Sequence, residues 1–105
     1  MSDPIDNQID VPPSFIALFL NRSGSLRITH AALLLRYEQC EDMAHSLVEH
    51  AQLLAAGETF AEQAILQRCL DGLRVDQSHF AAPEAEWVVR RLAELLEWSP
   101  LTTVA

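Results

Sequence analysis

The sequence predicts an all-α protein, a small helical bundle of one short and three longer helices organised around a long central helix. Three observations lead there. Apolar residues between Thr29 and Ala56 recur at spacings of four and three, the period of one buried helical stripe. Two later segments repeat that period, and the breaks between them fall at glycine, proline and capping residues. Half of the residues are hydrophobic in a chain of 105, enough for one packed core and too few for two domains.

Residues 1–11 are polar, acidic and aperiodic, and read as a mobile N-terminal arm. Asp3, Asp6 and Asp10 stand where a secretory signal would carry positive charge, so the expected location is cytoplasmic. Residues 12–98 form the expected single helical domain. Pro12 and Pro13 open a two-turn helix through Leu20, because proline in a first turn forfeits no hydrogen bond. The apolar run Phe15–Leu20 also fits a short strand, since length alone does not separate the two. Asn21–Ser25 has turn composition.

The central helix follows over 29–56, about 40 Å long at the usual helical rise. Leu33, Tyr37, Cys40, Ala44, Leu47, Ala51 and Leu54 make its stripe, with Thr29 as cap and Gly57 as a left-handed stop. A stripe of that length exceeds what either later helix covers alone, and Leu35 and Leu53 extend it near its ends. Pairing with a second copy, a homodimer, is the expected consequence. The alternative is a monomer in which the last two helices lie end to end along it. Thr59 and Glu62 fit a capping box for a third helix from Phe60 to Asp71, stopping at Gly72. Ile65, Leu66, Cys69, Leu70 and Leu73 supply its buried side. After a connector, Pro83 starts the last helix, running to Trp98 with Ala85, Val88, Val89, Leu92, Leu95 and Leu96 on one arc. Residues 99–105 are expected to be a frayed tail.

Net charge is −8, and the cations are all arginine, with no lysine in the chain. No lysine Schiff base and no phosphate-loop lysine can form. Nucleic acid and anionic membrane surfaces, which demand a basic face, are not expected partners. No apolar run is long enough to span a bilayer. Cys40 and Cys69 lie at apolar helix positions and read as buried thiols, since the sequence contains no paired-cysteine zinc spacing.

Two side-chain constellations are candidates for chemistry or binding. Glu38, Asp42, His45 and Glu49 fall on one narrow arc of the central helix. Asp42, His45 and Glu49 have the carboxylate–histidine spacing of di-metal bundles. That arc lies opposite the buried stripe, and no second such motif occurs, so a solvated face is the expected reading and a metal-dependent enzyme the alternative. His30, His50 and His79 stand isolated. On the last helix Trp87, Arg91, Glu94 and Trp98 form a second stripe beside the apolar arc. Trp and Arg are enriched at binding hot spots, so Trp87, Arg91 and Trp98 are the candidate partner-binding residues. The competing reading buries this stripe under Phe15–Leu20.

The blocks Pro12–Phe15, Arg36–Ala44 and Glu84–Leu96 resemble a group of small bacterial proteins commonly labelled "ATPase with chaperone activity". The resemblance implies a role near protein folding or assembly, and, taken at its word, ATP hydrolysis. The chain has no Walker A loop and no nucleotide-binding strand–loop–helix unit. The expectation is therefore a non-enzymatic accessory module that binds a protein partner, without cofactor.

Overall fold

The computed structural model describes residues 10–76 and 78–102; the arm at 1–9 and the tail at 103–105 lie outside them. The described residues are all-α. Helix α1 spans Pro13–Ile16 and continues into a 3-10 turn at Ala17–Phe19. Helices α2 (His30–Ala56), α3 (Glu62–Val75) and α4 (Ala82–Leu96) follow. The chain forms two compact units, one up to Tyr37 and one from Glu38 onward, and α2 belongs to both.

In the first unit, the Pro12 carbonyl accepts the amides of Phe15 and Ile16 at 3.0 and 3.1 Å. The proline ring fixes the backbone for this start without forfeiting a needed donor. Phe15 is fully buried, its ring 5.4 Å from Phe19 and 5.5 Å edge-on from Tyr37. Helix, not strand, is therefore the state of Phe15–Phe19; extended pairing is confined to one antiparallel bridge between Leu20 and Leu26. Asn21 closes the intervening turn by accepting the Ser23 and Ser25 amides on Oδ1. Gly24 supplies the left-handed φ of 89° that the turn requires.

Thr29 caps α2 as expected, its hydroxyl accepting the Ala32 amide at 3.1 Å. The stripe is buried at Leu33, Cys40, Ala44 and Ala51 and half-buried at Tyr37, Leu47 and Leu54. Leu35 and Leu53 are exposed at 54% and 66%. They lie on one face about 27 Å apart, five helical turns. Gln39, Asp42, Ser46 and Glu49 occupy the same face between them, so the two leucines do not join into an apolar seam.

Helix α2 ends at Ala56 as expected, but its left-handed stop and both ends of α3 differ from the sequence expectation. The left-handed residue after α2 is Glu58 (φ 58°), one place beyond Gly57. That turn swings Thr59 back, so its hydroxyl donates to the Gly57 carbonyl instead of capping α3. Helix α3 accordingly starts at Glu62 after Ala61, with no capping box at Thr59. It then passes through Gly72 to Val75, since burial of Leu70 on this helix outweighs the roughly 1 kcal/mol that glycine costs in a helix interior.

Helix α4 begins where Glu84 accepts the Ala81 amide at 2.9 Å. It ends two residues before Trp98. Glu97 turns left-handed (φ 60°), its amide bonding to the Glu94 carbonyl, while the Trp98 amide reaches back to Ala93 at 2.9 Å. This is a Schellman turn built on a non-glycine residue. The segment beyond it is met by Gln63. The Gln63 amide donates to the Pro100 carbonyl at 3.1 Å and accepts the Thr102 N–H at 2.8 Å. In the second unit α3 and α4 pack together around Ile65, Leu66, Leu70, Val88, Val89 and Leu92.

Candidate functional site

The second stripe of α4 separates into three different environments. Trp87 is only 7% exposed and belongs to the core, not to a binding surface. Arg91 is engaged within the unit. Its Nε lies 2.9 and 3.1 Å from the two Glu41 carboxylate oxygens and its Nη2 3.0 Å from Oε2, while Nη1 reaches Glu94 at 3.1 Å. Both charges are partly covered, Arg91 to 31% and Glu41 to 18% side-chain exposure. Arg91 thus ties α4 to α2. Trp98 remains half-buried, and it is the member of the predicted set that faces open space.

Glu41 is the hub that the sequence reading missed. It also holds His45 Nε2 at 3.0 Å, so His45 pairs with the residue one turn before it rather than with Asp42 or Glu49. Partial burial pushes the Glu41 carboxyl up. Hydrogen bonds and charge from Arg91 and His45 outweigh that and leave it below its ordinary value. The hydrogen bond to Glu41 in turn raises the Arg91 guanidinium, against the opposing effect of burial. Asp42, His45 and Glu49 do not assemble into a metal site, and among the described residues no group of three His, Cys, Asp or Glu side chains can hold an ion.

His79, isolated in the sequence reading, has a partner. Its Nδ1 lies 2.9 Å from Asp76 Oδ2, and Ser78 donates its amide to Asp76 Oδ1 at 3.0 Å. Hydrogen bonds from Ser78 hold the Asp76 carboxyl below its ordinary range. The Ser78 hydroxyl also bonds to Asp76, so serine and imidazole are both committed to the carboxylate. A hydrolytic triad needs the serine on the imidazole nitrogen opposite the acid. The cluster is an exposed loop turn. Cys40 and Cys69 are buried thiols outside any disulfide, and burial raises the Cys69 thiol, which makes it a poor nucleophile.

A concave feature of the second unit lies elsewhere. A groove of about 490 Å³ runs between α3, α4 and the segment after α4. Leu70, Val89 and Ala93 lie beneath it, and Trp98, Pro100 and Leu101 wall it. Glu86, Arg90 and Glu94 stand along its edge at successive turns of α4. Two devices already described shape it: the Schellman turn folds Trp98 back toward Ala93, and Gln63 holds Pro100 and Thr102 in place. The volume is in the range of ligand-binding clefts. Of the stripe read from sequence, the groove takes Glu94 and Trp98, and of the candidate partner-binding residues Trp98; Arg90, Pro100 and Leu101 are additions. The signal for Arg90 was present in the i, i+4 series of residues 86, 90 and 94. Nothing in the sequence showed that the tail would form a wall.

Among the described residues no helix is long and apolar enough to cross a membrane. Comparison with known proteins returns no match to a family model, to a curated protein or to a solved structure.

Proposed function

We propose that this chain is a non-enzymatic accessory module of the cytoplasm that works by holding a protein partner, in keeping with the folding-related role its resemblance implies. The observation that carries the reading is the groove beside Trp98. An apolar cleft walled by a half-buried tryptophan and edged with charge is the arrangement in which one anchoring side chain of a partner is desolvated and supplies most of the binding energy. Chemistry is the weaker reading. The Asp76, Ser78 and His79 geometry is unproductive, Asp42, His45 and Glu49 are not assembled, and the chain has no lysine for a phosphate loop.

A photo-reactive side chain placed at Pro100, with one at exposed Glu62 as control, tests the reading in the native host. The expected result is one polypeptide crosslinked from position 100 and not from 62. That polypeptide, purified, should bind the wild-type chain and lose binding to Trp98→Ala and Leu101→Asp variants that keep their helical circular dichroism. No adduct, adducts of equal yield from both positions, or binding unchanged by both variants overturns the reading.

A further inference from the structure

We infer that the groove takes a protein segment that sets a single carboxylate beside a bulky apolar side chain, with Arg90 receiving the carboxylate; the inference rests on the partner-binding reading above. The argument is charge complementarity along the groove edge. Glu86 is held by Arg74 at 3.0 Å, and Glu94 by Arg91 at 3.1 Å. Arg90 stands between them on the helix, exposed, and among the described residues its guanidinium has no carboxylate partner. Glu86 thus has an arginine of its own, Glu94 shares Arg91 with Glu41, and Arg90 is the cation of this edge that no carboxylate of the described residues meets at contact distance.

That cation borders an apolar wall. An arginine–carboxylate pair formed against Trp98 and Leu101 is less screened than one in open water, and its two-pronged geometry fixes the incoming group. The apolar neighbour of the carboxylate enters over Ala93 and Val89. The chain-wide charge of −8 opposes an acidic ligand. Screening at physiological salt limits that repulsion to about 8 Å, whereas Arg90 acts at contact distance, so the local cation decides. Glu94, which has only a share of Arg91, stands one turn from Arg90 and disfavours a phosphate dianion there.

The test titrates three blocked heptapeptides of glycine with a central leucine–aspartate–leucine, leucine–asparagine–leucine or leucine–lysine–leucine, following the Trp98 indole N–H by NMR. The aspartate probe should bind about tenfold more tightly than the asparagine probe, the usual effect of one charge-assisted contact. Arg90→Gln should erase that difference, and Arg90→Glu should shift preference to the lysine probe. Equal binding of the aspartate and asparagine probes, or a preference unchanged in Arg90→Gln, overturns the role of Arg90 while leaving the groove a partner site. If no probe moves Trp98 and position 100 gives no crosslink, both readings fall. Probe-free self-association that is lost in Arg90→Glu makes a second copy the occupant, and overturns the inference.

Discussion

Replacing Arg91 by alanine tests whether the Arg91–Glu41 pair is a tie between helices or surface decoration. Three nitrogen–oxygen contacts of 2.9 to 3.1 Å join the two side chains. A fully exposed pair would contribute about 0–1 kcal/mol, and a hydrogen bond to a charged group in a covered site about 1.5–3 kcal/mol. Glu41 at 18% and Arg91 at 31% exposure fall between those limits. Arg91→Ala should therefore cost about 1–2 kcal/mol, part of it from the half-buried carboxylate left with His45 alone. For a domain of this size that lowers Tm by about 5–15 °C. Urea denaturation of Arg91→Ala, Glu41→Ala and the double variant closes the cycle, with an expected coupling of about 1–2 kcal/mol. The coupling should weaken only partly in 1 M salt, because the pair is partly covered. Single-variant costs under about 0.5 kcal/mol with no coupling would refute the reasoning and return Arg91 to the list of residues free to bind.

Acid supplies an independent check on the same hub. With the Glu41 carboxyl held below its ordinary value of 4.5, the unfolded chain takes up the proton first as pH falls. The stability Glu41 contributes is thus present above about pH 4.5 and lost as pH drops through the lower folded value; thermal melts should show a shallower acid slope in Glu41→Gln. Gly72 lies inside α3, and a Cβ there meets nothing within 4 Å, so Gly72→Ala should stabilise by about 0.5–1 kcal/mol in urea. Glu97→Gly should gain a similar amount, about 1 kcal/mol, by relieving the left-handed backbone at φ 60°. Trp87→Ala, at 7% exposure, should cost about 3–5 kcal/mol by calorimetry; a loss below about 1 kcal/mol would return Trp87 to the surface.

The helical periodicity of α2 and α4 was legible because burial of a stripe is a property of spacing, and spacing is written in the sequence. Thr29 was legible for the same local reason: a hydroxyl before a periodic segment has one amide to serve. The helix ends were less so. Gly57 and Gly72 both look like stops, yet one yields its left-handed role to Glu58 and the other sits in mid-helix. Glycine permits a stop without enforcing one, and neighbouring burial decides. At the candidate site the adjacent arginines show the limit most plainly. Arg90 and Arg91 differ by one step of about 100° on the helix, which sends one to the groove edge and the other to Glu41. Choosing between them required knowing where α2 lies, a tertiary fact. The wall made by Pro100 and Leu101 depends on Gln63, thirty-seven and more residues away in the chain, and no local pattern encodes such a contact.

Helix α2 belongs to both compact units, and their boundary falls inside it, between Tyr37 and Glu38, rather than in a linker. The consequence concerns how amides exchange with solvent. If the first unit opens alone, the surviving part of α2 begins at a bare helix end, with four amides that lose their carbonyls and have no Thr29 to replace one. That penalty adds to the cost of every opening that stops at the boundary. Deuterium uptake should then rise gradually along α2 toward His30, one turn at a time, instead of stepping at Tyr37 as it would across a flexible joint.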